Sequence, residues 1–500
     1  MRDLTEAGIA TARPRSIGDR LILIVLSALM VAYYGIILTD GHFNVLHPTS
    51  YGLTFNSMLE HLLRGQFDVD PAAVANEGFR RDGRVYSYWG ILCALVRLPL
   101  LAWPEGLRTD VTGLSCLVAV SLAGYLKLRT LLFVYRQSPP SPDRALLVAA
   151  FGIWLLLAGA QTGYLRTSIY QEVLFWSAAI TAGFVYCAVR GVLLGAFTTR
   201  RLACMAALAG LALLTRVSTG MGLYVALGLL LAVLAIADAT RAGQPRAPAA
   251  RLAATLSSRR ILAPLGILLA GCAAAAAVNA QRWGNPLTFA DFNLYLMNRF
   301  YPDRLIRSAE YGLFNVARIP FGLVYYFFPV WVVRRGDGLL LFEEHRTRLL
   351  DASELPPSSF LLTDLLPLIL LVALCNLLPR ANRARTISTR QTLAILAGLA
   401  IPTLLMLTAI SMNYRYRMEF YPLLEFGGFI ALYLLATKAA AHPLSRRLRA
   451  VLLAATAISL ASTYFVLALY KLSPYGPGQM YLQNGVVQLY GDALREKLFH

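Results

Sequence analysis

Charge is what this 500-residue chain has least of. Only 15% of its residues are charged, against 57% hydrophobic, and acids are outnumbered 27 to 46 by lysine and arginine. A soluble domain carries about 25% charged residues, so a water-filled exterior on all sides is excluded. Cysteine is scarce too, with six in the whole chain. Cys93, Cys116, Cys187, Cys204, Cys272 and Cys375 are scattered through apolar stretches without a CxxC pair, which argues against a disulfide framework or a zinc site. The six histidines are spread out, and His42, His47 and His61 share one loop without ligand spacing. A small-residue cleavage site is missing after the first apolar run, so that run reads as a retained helix.

What is present is a succession of apolar runs long enough to cross a bilayer. The net charge of +19 would point to nucleic acid in a soluble protein. Here arginine falls between the runs, which points to cytoplasmic loops against anionic lipid and to no nucleic-acid partner. The pattern predicts an all-α integral membrane protein. Its eleven spans lie near Leu21–Leu38, Val111–Tyr135, Ala145–Ala160, Val173–Val189, Leu202–Leu214, Gly220–Ile236, Ile261–Val278, Phe360–Leu378, Thr392–Ser411, Tyr421–Ala436 and Ala450–Tyr470. Two short runs, Gly90–Trp103 and Phe321–Val333, contain proline and are read as interfacial or re-entrant helices.

Arg2, Arg13, Arg15 and Arg20 place the N-terminus in the cytoplasm. The basic loop with Arg241, Arg246, Arg251, Arg259 and Arg260 falls on the same side. The segment Arg334–Ser359 carries Asp337, Glu343, Glu344, Asp351 and Glu354 and shows no positive bias, so it is placed outside. Residues 1–470 then form one polytopic domain with external loops 39–88 and 279–359, and 471–500 form an external tail. Usage rich in alanine, leucine and arginine points to a bacterial inner membrane.

The polar clusters all fall on the external side in this topology. The first loop is too long and too rich in acids and aromatics for a connector. It holds Asp40, Asp68, Asp70, Glu77 and Asp82. Such carboxylates suit the removal of a proton from an acceptor hydroxyl, or the holding of a divalent metal; ordinary surface acids are the alternative. Glu172, in Tyr170-Gln171-Glu172, starts a helix and is either a cap or a second acid. Arg216 interrupts two apolar helices and needs a carboxylate or a ligand phosphate as partner. Arg415 and Arg417, in NYRYRMEF, have forks suited to phosphate oxygens or anchor the bilayer interface. Trp283, with Arg282, Gly284, Asn285, Pro286 and Phe289, reads as a turn beside an aromatic platform for a sugar or a bilayer surface.

Several segments together resemble the GT-C superfamily of polytopic glycosyltransferases, of the protein O-mannosyltransferase and lipid A aminoarabinose transferase type. They are DGRVYSYWGILCALVRLPL (Asp82–Leu100), SIYQE (Ser168–Glu172), GLALLTRVSTG (Gly210–Gly220), QRWGNPLTFADF (Gln281–Phe292), RIPFGLVYYFFP (Arg318–Pro329) and NYRYRMEFYPLL (Asn413–Leu424). The resemblance implies a sugar donor carried on a polyprenyl phosphate and transfer to a glycan, lipid or protein acceptor on the outer face. It implies a first-loop acid as base or metal ligand, drawn here from Asp40, Asp68 and Asp70, with Glu172 as a further acid. Arg216, Arg415 and Arg417 would hold the lipid phosphate, and Tyr86, Tyr170 and Trp283 would line the substrate. Just after the first span the chain has His47-Pro48-Thr49-Ser50-Tyr51, with only Asp40 upstream, where the superfamily carries its acid. A carrier that flips a lipid-linked saccharide, an inactive relative, and a polymerase or ligase of similar bulk stay open beside the transferase.

Overall fold

The computed structural model describes residues 17–240, 256–328, 349–350, 352–353, 359–383 and 387–472. Arg2, Arg13, Arg15, Arg241, Arg246, Arg251, the acids Asp337, Glu343, Glu344, Asp351 and Glu354, and the tail beyond Leu472 lie outside the described residues.

Among the described residues, nine helices are long and apolar enough to cross a membrane. The helices of ten or more residues are α1 (Ile17–Leu38), α2 (Thr54–Leu63), α3 (Thr112–Gln137), α4 (Arg144–Leu157), α5 (Ile169–Leu193), α6 (Thr199–Leu213), α7 (Val217–Ala239), α8 (Arg259–Trp283), α9 (Leu365–Arg383), α10 (Thr389–Thr408), α11 (Tyr421–Ala441) and α12 (Arg446–Leu472). Every expected span has a helix at its position. Three of these are short: α4 has 14 residues and is continued to Gly163 by a 3₁₀ stretch, α6 has 15, and α9 is apolar over Leu365–Ala381. The eighth expected span, Phe360–Leu378, is broken. A single turn, Phe360–Thr363, precedes α9, and Asp364 stands between them outside helical geometry.

Of the two expected interfacial segments the first stays short, and residues 329–333 of the second lie outside the described residues. The first is one α turn, Leu92–Leu95, followed by a 3₁₀ stretch at Leu98–Ala102 with Pro99 near its start. Pro99 lacks an N–H, so the ladder cannot run on as an α-helix. The second is Ile319–Phe327.

Lipid supplies no hydrophobic drive between helices, so close backbone approach has to come from small side chains. The crossing of α7 and α10 illustrates it. A Cβ added to Gly398 would stand 2.1 Å from the backbone nitrogen of Ala226. α5 lies along α3, α8 along α6, and α11 along α9. Between α3 and α11, Lys127 and Glu425 form an ion pair at 2.5 Å, each 5% exposed. Two ionisable groups of opposite sign at this depth each need a partner, and here they meet each other.

The first loop is folded rather than slack. Asp82 and Gly83 both have positive φ and close a two-residue turn between β1 (Phe79–Arg81) and β2 (Arg84–Tyr86). Asp-Gly is the pair that such a turn favours, because its twist matches that of the strands. Asp110 ties the loop to α3 by accepting from the Thr49 amide at 2.6 Å and the Thr112 amide at 2.8 Å.

Candidate active site

Five segments far apart in sequence meet at one end of the bundle. They are the 3₁₀ turn Ala75–Glu77 of the first loop, the start of α5, the start of α7, the turns Phe292–Arg299, and the 3₁₀ helix Tyr414–Glu419. Glu77 links the first and fourth, because Tyr295 Oη donates to its Oε2 at 2.7 Å. The Tyr170 phenol, at the start of α5, also faces Glu77. The guanidinium of Arg415 lies 4.4 Å above the Tyr170 ring, and that of Arg304 lies 5.4 Å from the Tyr295 ring.

Arg216 sits just before α7 and pairs with Glu419 through Nε. Ser218 Oγ and Thr219 Oγ1 complete the carboxylate at 2.8 and 2.9 Å. The outer face of Arg216 stays partly exposed and lies 5.2 Å from the Tyr416 ring. Tyr88, at the end of the loop hairpin, is surrounded by Tyr416, Glu77, Arg415 and Arg216. The result is two buried carboxylates, Glu77 and Glu419, three cations with partly exposed side chains, and four tyrosines. A cation over an aromatic face keeps its positive charge while losing part of its water, so the surface suits an anion.

The phenols are donors here. Burial pushes Tyr88 above the ordinary tyrosine range, with Tyr416 and then Glu77 adding to it. Burial and then the Glu77 carboxylate do the same to Tyr295. Each therefore keeps its proton and offers it to an oxygen.

The expected site residues divide. Tyr170, Arg216 and Arg415 are brought together. Arg417 is turned away: it is 2% exposed, its Nη2 donates to Asp364 Oδ2 at 2.9 Å and to Thr363 Oγ1 at 2.7 Å, and it stacks 4.0 Å from the Phe360 ring. Glu172 is likewise committed, to Arg97 at 3.0 Å and to Ser115 Oγ at 2.6 Å, with no exposure. Asp68 contacts His61 at 3.2 Å and Arg84 at 4.0 Å. Asp70 is exposed before the turn Pro71–Val74, and Asp40 is exposed in a left-handed turn after α1. Tyr86 and Trp283 are buried against each other and Phe79, so their faces are covered. They fasten the hairpin to the end of α8, where Arg282 donates to the Trp89 carbonyl at 2.8 Å.

Chains of solved structure are similar to this one over most of its length. The chain is similar to ArnT from Cupriavidus metallidurans bound to undecaprenyl phosphate, at 14% identity and a TM-score of 0.46, over 96% of this chain and 70% of that one. It is also similar to the archaeal oligosaccharyltransferase AglB from Archaeoglobus fulgidus in complex with an inhibitory peptide and a dolichol-phosphate. There the identity is 13% and the TM-score 0.45, over 90% of this chain and 56% of that one. The chain spans little more than half the length of the AglB chain. No family model and no curated protein matches the sequence.

Glu77, Tyr88, Tyr295, Tyr416 and Glu419 complete the cluster. In the sequence, Glu77 is one loop acid among several, Tyr88 closes the DGRVYSY run, and Tyr416 and Glu419 lie within NYRYRMEF. The signal that separates Glu77 from the neighbouring acids is burial: it is 7% exposed, whereas Asp40, Asp70 and Asp82 are exposed. Among the described residues no three of His, Cys, Asp and Glu gather as metal ligands.

Proposed function

We propose that this protein is a membrane glycosyltransferase that moves a sugar from a polyprenyl-phosphate donor to an acceptor hydroxyl on the external face. The observation that carries the reading is the meeting of buried Glu77 with Arg415 and Arg216 among Tyr88, Tyr170, Tyr295 and Tyr416. Glu77 takes the proton of the acceptor hydroxyl as its oxygen bonds to the anomeric carbon. The bond from that carbon to the phosphate oxygen breaks, and the polyprenyl phosphate leaves with the electron pair. Arg415 and Arg216 hold the charge that grows on the phosphate, in a setting partly stripped of water. The Tyr88 phenol donates to an oxygen of the donor. The base is assigned to Glu77 in place of Asp40, Asp68 and Asp70, because Glu77 is buried against Tyr170 and Tyr295, whose rings carry Arg415 and Arg304. Arg216 and Arg415 keep the phosphate role, and Arg417 and Glu172 are given to the scaffold. The N-terminal arginines support an N-terminus on the cytoplasmic side, and the usage rich in alanine, leucine and arginine supports a bacterial inner membrane. Incubation of the purified protein with radiolabelled polyprenyl-phosphate sugars and membrane acceptors tests the reading. Movement of the intact lipid across a bilayer with no sugar released would favour a carrier in its place.

A further inference from the structure

The 3₁₀ helix Tyr414–Glu419 carries three ionic side chains spaced two apart, Arg415, Arg417 and Glu419. Such a helix turns about 120° per residue, so positions two apart point about 240° away from each other. The three side chains therefore leave the axis in three directions, about 120° apart. Each meets a different part of the bundle. Arg415 goes to Tyr170 at the start of α5. Glu419 goes to Arg216, Ser218 and Thr219 at the start of α7. Arg417 goes to Asp364, at the break before α9.

The Asp364 end is built to hold. Its carboxylate has no exposure and accepts from Trp154 Nε1 at 3.1 Å, Thr363 Oγ1 at 2.7 Å, Arg417 Nη2 at 2.9 Å and Tyr421 Oη at 3.4 Å. Those donors come from α4, the turn before α9, the 3₁₀ helix and the start of α11. An apolar contact in the same place would pack as well but would let the 3₁₀ helix rotate. Hydrogen bonds to charge fix a direction, and a buried ionic pair is best justified by what it specifies. Rotation about this axis is the motion that would swing Arg415 off the Tyr170 ring.

We infer that Asp364 and Arg417 are positioning residues: their buried pair sets the rotation of the 3₁₀ helix and so aims Arg415, through the backbone, at the phosphate of the donor. This rests on the proposed role of Arg415 and deepens it. The pair touches no substrate.

The test compares undecaprenyl phosphate with undecaprenol, the same tail without the phosphate, on full-length protein in detergent by native mass spectrometry. Wild type is expected to prefer the phosphate. The double variant Asp364→Asn/Arg417→Gln removes both charges together, so neither is stranded. It is expected to lose about tenfold of that preference, comparable to one hydrogen bond to a charged group, with undecaprenol binding unchanged. A merely structural role would lower both lipids alike, and that result, or a preference kept within twofold, overturns the inference. If wild type shows no preference, the reading of Arg415 falls first and takes this one with it. Should the double variant fail to fold, Thr363→Val removes only the hydroxyl that bridges the pair. A loss of about threefold supports the inference there, and none overturns it.

Discussion

The phenol of Tyr295 donates to the carboxylate of Glu77 across 2.7 Å, joining two loops 218 residues apart. The same ring stacks on Phe79 at 4.8 Å. The contact is thus both a hydrogen bond to a buried acid and part of the packing of the first loop.

Tyr295→Phe keeps the ring and removes the donor. A buried acceptor left with one fewer partner costs about 1–3 kcal/mol. Thermal unfolding in detergent is expected to show a loss in that range. A loss below about 0.5 kcal/mol would mean that water or another donor serves Glu77 as well.

The pair of Arg97 and Glu172 is expected to behave as scaffold. Glu172→Leu alone strands a buried guanidinium and is expected to cost about 3–5 kcal/mol. Arg97→Met added to it restores most of the loss, because two apolar chains replace two compensated charges. If Glu172→Leu abolishes transfer at unchanged stability, Glu172 belongs to the chemistry.

Lys127 and Glu425 predict the same asymmetry in the middle of the bundle. Lys127→Met is expected to lower the melting temperature strongly, and Lys127→Met/Glu425→Leu to recover it. Failure of the double variant to exceed the single one would show that these groups have partners beyond each other.

The raised phenols carry a pH dependence of definite sign. A tyrosine ionises near pH 10 in an unfolded chain. Where the folded value is higher, as for Tyr88 and Tyr295, the unfolded chain releases a proton that the folded one keeps. The stability tied to that group is complete below about pH 10 and fades as the pH climbs toward the folded value. Melting temperatures are expected to be level up to about pH 10 and then to fall. The fall should be shallower in Tyr88→Phe/Tyr295→Phe; an identical fall would contradict the assignment.

Much of the fold was legible because a bilayer imposes one simple rule, an apolar run of sufficient length. Leu21–Leu38 and Gly220–Ile236 are read directly by it. The break at Asp364 was not, since one acid near the end of an apolar run looks like an ordinary boundary. Its partner Arg417 lies 53 residues away. The site was half legible for the same reason. Arg216 and Arg415 stand out as cations against apolar surroundings, and Arg216 was expected to need a carboxylate or a phosphate. That Glu419 provides the carboxylate, 203 residues on, depends on how α7 meets the Tyr414–Glu419 helix. The two arginines of NYRYRMEF look alike in one dimension. The 3₁₀ turn sends one to Tyr170 and buries the other against Asp364. Glu77 was one acid in a loop of acids until the fold buried it.

The central claim is tested most directly by turnover of labelled polyprenyl-phosphate sugar by purified wild type, Glu77→Gln, and the triple variant Asp40→Asn/Asp68→Asn/Asp70→Asn. Loss of a positioned general base costs about 10²–10⁴-fold, so Glu77→Gln is expected to lose at least about a hundredfold at an unchanged melting temperature. The triple variant should stay within about threefold of wild type, because Asp40 and Asp70 are exposed and Asp68 is engaged with His61. Full turnover in Glu77→Gln, or its loss in the triple variant alone, would contradict the account.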